Sequence, residues 1–147
     1  MGAAGFNCWW RYATDGAGCD TPATAKAECE AAHEYDMEII LYPSYCVANT
    51  SFHSDYVGNP FRAVIDELRD EPGFLGWYTF DEALWINIMH PGSLPYANVQ
   101  SAYNYVKSPG HDPDHPVFYC EAGYYWLIQN GATDQLIRDY IGIGDAC

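Results

Sequence analysis

Two adjacent carboxylates, Asp81 and Glu82, directly follow an apolar run that starts at Gly73 and ends at Phe80. Seven of its eight residues are apolar, aromatic or glycine, as expected of a strand that is covered on both faces. In α/β proteins the carboxyl ends of such strands carry the chemistry. We therefore expect acid/base chemistry at Glu82, with Asp81 beside it. The alternative is a carboxylate that only caps the next helix.

Other charged residues end other strand-like segments. Glu121 closes the segment 117–121, and this placement makes it a candidate second catalytic carboxylate or a substrate ligand. The alternative is a carboxylate that holds a loop amide. Asp145 is a further candidate at the end of the last predicted strand. Arg11, at the end of the first strand, could orient Asp81 or Glu82 or bind substrate, and the alternative is a surface ion pair.

Aromatic side chains are dense, with five Trp, thirteen Tyr and six Phe. Flat aromatic faces bury the apolar face of a sugar ring, while neighbouring carboxylates take its hydroxyl groups. The predicted substrate-binding residues near strand ends are Trp10, Tyr42, Tyr78, Tyr124 and Trp126, together with Asp81 and Arg11. Carbohydrate is thus the expected ligand, and ordinary packing is the alternative for each aromatic side chain.

The charge balance excludes several classes of partner. Twenty acidic and six basic residues give a net charge of -14, which repels phosphate backbones and anionic lipids. No apolar run approaches the roughly twenty residues that span a membrane. We therefore expect neither a nucleic-acid nor a membrane partner.

The six cysteines show neither a CxxC motif nor the Cys/His spacing of a zinc site. No phosphate-binding glycine motif follows the first strand, and the Asp112-Pro113-Asp114 segment offers too few oxygen ligands for calcium. We expect neither a metal nor a cofactor. The even cysteine count, the glycosylation motif at Asn49 and the low lysine content favour an extracellular, secreted protein with disulfides. Their pairing stays open, and buried free thiols are the alternative.

The periodicity of the chain predicts one domain over residues 1–147, built from parallel βα repeats. Five strands are predicted, at 5–12, 38–42, 74–80, 117–121 and 141–145. Four helices alternate with them: one starts at Pro22 after the cap Thr21, one at Pro60 after Asn59, one carries Val99 to Val106, and one follows the cap Thr133.

This pattern is typical of a TIM barrel, because the longer and more polar loops follow the strands. A doubly wound open sheet is the alternative, and the missing phosphate loop weakens it. A complete barrel needs about 250 residues, so the 147 residues are expected to form an incomplete one. Either a remainder of the barrel lies outside this chain, or partial barrels self-associate.

The segment 73–82 resembles the fourth-strand region of (β/α)8-barrel glycoside hydrolases, in which a strand of the form LGWY..DE follows a short helix. A looser resemblance covers Gly5-Phe6-Asn7 and the segment 31–41, so that the chain corresponds to about strands two to six. The resemblance implies that Glu82 is the general acid/base and that Asp81 occupies the preceding polar position. Ala83 stands where many members have proline, which leaves the subfamily open.

The second catalytic carboxylate of that family usually lies on strand seven, which has no counterpart in this chain. It would come from the missing part of the barrel, from another subunit, or from Glu121 or Asp145. The resemblance implies action on, or binding of, a poly- or oligosaccharide. The alternative is a non-catalytic extracellular protein, derived from such a barrel, that binds glycan or assembles with copies of itself.

Overall fold

A parallel sheet with flanking helices forms the fold. The computed structural model describes residues 7–12, 21–42 and 60–145. The strands are β1 (Cys8–Tyr12), β2 (Glu38–Tyr42), β3 (Phe74–Asp81) and β4 (Val117–Cys120), and they lie in the order β1-β2-β3-β4 with every pair parallel. The helices are α1 (Pro22–His33), α2 (Pro60–Leu68), α3 (Ala83–Met89), α4 (Tyr96–Val106), α5 (Tyr124–Gln129) and α6 (Asp134–Ile141). The predicted α/β class with a parallel sheet is confirmed.

The predicted element count is wrong in two respects. The described part of the chain has four strands and six helices instead of five strands and four helices. Residues 141–145 are not a strand, because α6 continues through Ile141 and turns follow it. Ile143 is buried with Ile137 and Tyr140, so its apolar side chain extends the buried face of α6. The two additional helices, α3 and α5, are short and directly follow β3 and β4.

Two predicted helix starts are confirmed by their caps. The Thr21 hydroxyl accepts a hydrogen bond from the backbone N–H of Thr24 at 3.2 Å, and Pro22 occupies the first turn. The Thr133 hydroxyl accepts one from the N–H of Leu136, also at 3.2 Å. Such side chains satisfy backbone donors that the first turn of a helix leaves without partners. The predicted cap Asn59 lies outside the described residues.

One face of β2, β3 and β4, here called the helix face, is buried. Leu41, Trp77 and Val117 are aligned across β2, β3 and β4, and all three belong to the core shared with the helices. On the opposite face, Tyr78 and Phe118 are aligned and only partly buried. Side chains alternate along a strand, so this difference in burial distinguishes the two faces.

A bulge in β3 changes this alternation near its end. The register pairs Tyr78 with Phe118 but Phe80 with Tyr119 and Asp81 with Cys120, so β3 contains one residue more than β4 over this stretch. As a result Asp81, three residues after Tyr78, reaches the same region as the Tyr78 side chain. The Tyr78 hydroxyl donates a hydrogen bond to Asp81 Oδ1 at 3.0 Å.

Gly73 sits at the contact between the start of β3 and α1. Its φ is +82°, and a Cβ at this position would lie 2.4 Å from the carbonyl oxygen of Cys29. We expect Gly73→Ala to lower the free energy of unfolding by about 2 kcal/mol, because overpacking costs about 1–3 kcal/mol and positive φ adds strain. Gly110→Ala is the control, since no atom lies within 4 Å of its added Cβ. Equal urea midpoints for the two variants would contradict this.

Three of the six cysteines lie in the part of the chain that the structure describes. Cys8, Cys29 and Cys120 form no disulfide with one another. Cys19, Cys46, Cys147 and the glycosylation motif at Asn49 lie outside the described residues, so disulfide formation stays a prediction. Within the described ranges, no helix has the length and apolar character required to cross a membrane.

Candidate functional site

The end of β3 and the end of β4 meet at one edge of the sheet, here called the carboxyl edge. The backbone N–H of Glu82 donates to the carbonyl oxygen of Cys120 at 2.9 Å, which joins the two strand ends. Asp81 is the last residue of β3, and Glu121 directly follows β4. Because parallel strands end at the same edge, the three carboxylates predicted from two separate segments, Asp81 and Glu82 on one and Glu121 on the other, come together there.

Glu82 has an unusual backbone conformation. Its φ of 53° and ψ of 42° place it in the left-handed region, and among the described residues only Asp36 shares a positive φ without being glycine. It occupies the N-cap position of α3, but its side chain makes no capping hydrogen bond. The Glu82 side chain therefore does not cap α3, in contrast to the alternative considered for it.

The environment of Glu82 favours its protonated form. Partial burial removes solvent from the carboxyl group, and the negative charges of Asp81 and Glu121 repel its ionised form, so its pKa is raised. Desolvation is the largest of these causes, followed by Asp81 and then Glu121. A raised pKa is the direction of shift that suits a carboxyl group to act as a general acid.

Glu121 is held by four hydrogen-bond donors. Its Oε2 accepts from the N–H of Leu84 at 2.8 Å and from the hydroxyl of Tyr119 at 2.6 Å. Its Oε1 accepts from the N–H of Trp85 at 3.2 Å and from that of Ala122 at 2.9 Å. The carboxylate thus connects the end of β4 to the first turn of α3.

Tyr78 and Asp81 form a hydrogen-bonded pair next to these groups. Burial is the main cause that raises the pKa of Tyr78 far above its ordinary value, and the hydrogen bonds to Cys120 and Asp81 raise it further. Tyr78 therefore stays a neutral hydrogen-bond donor. Asp81 Oδ2 accepts no hydrogen bond from any described residue, so this oxygen can receive a substrate hydroxyl.

The two short helices carry aromatic side chains at the same edge. The rings of Trp85 on α3 and Trp126 on α5 lie 5.7 Å apart between centroids, inclined at 40°. Tyr124 is 49% exposed and its hydroxyl donates to Asp134, while Tyr125 is 82% exposed. Here the Trp85–Trp126 pair with Tyr124 and Tyr125 is called the aromatic platform. The predicted residues Tyr124 and Trp126 belong to it.

Trp85 was missed by the sequence prediction, which places no helix between the strand 74–80 and the helix that carries Val99 to Val106. The signal was present, because Ala83, Leu84 and Ile86 are good or adequate helix formers and the segment contains no glycine before Gly92. A helix starting directly after Glu82 places Trp85 within one turn of this residue. Trp85 should therefore be added to the candidate site.

Four predicted site residues are not assembled by the described contacts. The side chains of Trp10, Arg11 and Tyr42 lie outside what the structure describes, although the backbone of Trp10 and Arg11 lies in β1 and Tyr42 is the last residue of β2. Asp145 lies at the opposite end of β4: its N–H donates to the carbonyl oxygen of Val117 at 2.8 Å and its Oδ2 accepts from the N–H of that residue. Asp145 as a second carboxylate is therefore wrong, since Val117 is the first residue of β4.

The acidic segment considered for calcium has a different role. Asp112 is 1% exposed, and its Oδ2 accepts a hydrogen bond from Trp77 Nε1 at 2.7 Å while Oδ1 lies 2.8 Å from His115 Nδ1. Within residues 7–12, 21–42 and 60–145, no cluster of three or more His, Cys, Asp or Glu side chains is arranged to hold a metal ion.

Comparisons with known protein families, with curated proteins and with solved structures found no match.

Proposed function

We propose that the chain is a glycoside hydrolase-like protein that acts on a poly- or oligosaccharide, with Glu82 as the general acid/base. The observation that carries this proposal is the Glu82 carboxyl group, which directly follows a parallel strand, makes no capping hydrogen bond and has a raised pKa. A general acid in glycoside hydrolysis has these properties, because it must donate its proton to the leaving oxygen at working pH.

The neighbouring groups fit a sugar ligand. Asp81, fixed by Tyr78, offers one carboxylate oxygen to a hydroxyl group, and the exposed rings of Tyr124 and Tyr125 in the aromatic platform offer apolar surface to the face of a pyranose ring. This combination of an aromatic surface and a few directed polar groups is typical of carbohydrate pockets. The net charge of -14 favours a neutral or cationic glycan over an acidic one.

The proposal also includes the fold: the parallel sheet and its helices would form part of the wall of a (β/α) barrel. Support comes from the sequential order of the parallel strands and from the burial of the helix face on β2, β3 and β4. Secretion is part of the same proposal and rests on the cysteine count and the glycosylation motif. The remainder of the barrel, or another copy, would supply the side chains that close the site.

A non-catalytic glycan-binding or self-assembling protein is the second candidate. It is favoured by one observation: the two oxygens of Glu121 are already occupied by four donors, so Glu121 is poorly placed to act as the second carboxylate. Glycoside hydrolysis generally needs two carboxyl groups on opposite sides of the scissile bond. The two candidates differ in whether binding is followed by bond cleavage.

The test is a panel of neutral and acidic oligosaccharides and aryl glycosides, incubated with the native chain after its intact mass has been measured. We expect new reducing ends from at least one neutral substrate, with a rate that falls as pH rises through the Glu82 pKa. Binding by calorimetry without cleavage would support the second candidate. Neither binding nor cleavage of any member would contradict both.

A further inference from the structure

We propose that Glu121 is a positioning residue: its carboxylate caps α3 from the neighbouring strand end and thereby leaves the Glu82 side chain available to substrate. The structural part of this proposal stands on contacts alone. Its catalytic consequence rests on the proposed function of Glu82.

The first turn of a helix leaves backbone N–H groups without partners, and the N-cap side chain normally accepts from the N–H of the second or third helical residue. In α3 these residues are Leu84 and Trp85, and the N-cap is Glu82. The left-handed backbone of Glu82 accompanies a side chain that makes no such bond. Glu121 accepts from both N–H groups instead, across 36 and 37 residues of sequence.

The Glu121 carboxylate is itself fixed from its own strand. The hydroxyl of Tyr119, a residue that is almost completely buried, donates to Oε2, and the N–H of Ala122 donates to Oε1. A carboxylate has about four acceptor sites, and four donors occupy them here. Attack on a sugar carbon would require Glu121 to give up some of these bonds. Its contacts therefore suit a rigid clamp and not a nucleophile.

The charge of Glu121 has a second effect on Glu82. Among the described residues, the charged groups that act on the Glu82 carboxyl are Asp81 from β3 and Glu121 from the end of β4. Tyr78 and Tyr119 hydrogen-bond to these two carboxylates and remain neutral, since their own pKa values are raised by burial. Glu121 thus both fixes the turn that carries Glu82 and disfavours its ionisation.

The experiment compares the native chain with Glu121→Gln, Glu121→Ala, Tyr119→Phe and the control Glu67→Gln. Glu67 lies on α2 and is exposed, 3.7 Å from Lys26, so its replacement removes one negative charge away from the carboxyl edge. The titration of Glu82 is followed by carboxyl ¹³C NMR, and kcat and KM are measured on the best substrate of the panel.

We expect the Glu82 pKa to fall in Glu121→Gln and Glu121→Ala, to stay near its native value in Tyr119→Phe, and not to change in Glu67→Gln. We expect kcat to fall about 10-fold in Glu121→Gln and about 100-fold in Glu121→Ala, with KM changing less than threefold, because small misplacement of a catalytic group can cost 10²-fold. Tyr119→Phe keeps three of the four hydrogen-bond donors to Glu121, so its kcat should fall less than that of Glu121→Gln.

Two results would overturn the proposal. One is an unchanged Glu82 titration and an unchanged α3 first turn by NMR in Glu121→Gln. The other is recovery of Glu121→Ala activity by added azide with formation of a glycosyl azide, which would identify Glu121 as the nucleophile. If Glu121→Ala does not fold, the measurements on Glu121→Gln and Tyr119→Phe still test the positioning role of Glu121. A native chain without hydrolysis would refute the proposed function, while the NMR titration would still decide the role of Glu121.

Discussion

Replacing Glu82 with Gln is expected to lower kcat for glycoside hydrolysis by about 10²–10⁴-fold, the range that a positioned general acid contributes. Gln keeps the size of the side chain but has no proton to donate to the leaving oxygen. Stability should change little, because the Glu82 side chain caps no helix and is only partly buried. The measurement is kcat on the best oligosaccharide substrate of the panel, with Glu67→Gln as the charge-matched control on the exposed surface of α2.

The pH profile and the leaving group provide independent checks of the same variant. Because the pKa of Glu82 is raised, the native rate should fall as pH rises through that pKa and the proton is lost. This fall of the rate with rising pH should disappear in Glu82→Gln. Aryl glycosides whose phenol is a strong acid need no proton at departure, so they should be affected much less than natural oligosaccharides. A uniform loss on all substrates would contradict the general-acid role.

Removing the Trp77 side chain is expected to have the largest effect on stability. Trp77 lies on the helix face of β3 with no exposed surface, packs against Phe74 at 4.5 Å between ring centroids, and donates its Nε1–H to Asp112 at 2.7 Å. Trp77→Ala should lower the free energy of unfolding by about 3–5 kcal/mol, the usual result for a fully buried large aromatic residue. The change in the free energy of unfolding is measured by urea denaturation.

Trp77→Phe separates the hydrogen bond from the packing. Phe fills part of the space but donates nothing, so Asp112 Oδ2 loses its donor, which costs about 1–3 kcal/mol for a buried acceptor. Burial raises the pKa of Asp112, but the hydrogen bonds from His115 and Trp77 outweigh it, and the net pKa is lowered. The stability from Asp112 is therefore present above its unfolded pKa and lost as pH falls through the folded value.

The corresponding control is Tyr35→Ala, a large aromatic residue that is mostly exposed, and it should change the free energy of unfolding by less than about 0.5 kcal/mol. If Trp77→Phe and the native chain had the same free energy of unfolding at neutral pH, the hydrogen bond to Asp112 would contribute nothing to stability. If the loss in free energy of unfolding caused by Trp77→Phe did not become smaller as pH fell through the folded pKa of Asp112, the ionised state of Asp112 would not be its source.

The local signals in the sequence predicted much of the fold. Thr21-Pro22 and Thr133 act within four residues of chain, so their capping roles were predictable without tertiary information. The strand at 38–42 was predicted with its observed bounds. The predicted fifth strand is wrong because Ile141 and Ile143 alternate like strand residues, whereas Ile141 is the exposed last residue of α6 and only Ile143 is buried with Tyr140.

The site was predictable only in part, for physical reasons. The acidic end of β3 identified Asp81 and Glu82 as candidates, because strand ends are visible in the apolar pattern. The four donors around Glu121 were not predictable, since two of them come from α3, more than 30 residues away. The bulge that brings Tyr78 to Asp81 depends equally on the register with β4. Contacts of this kind exist only once two strands have paired.

The left-handed backbone at Glu82 has an implication for the engineering of this protein. A residue with a side chain in that region costs of order 1 kcal/mol, and glycine or asparagine would occupy it at a lower cost. Selection for thermal tolerance alone would therefore favour the loss of Glu82 at the position where activity needs it. Libraries screened by melting temperature should keep position 82 fixed, since thermostability and turnover impose opposite demands on this one turn.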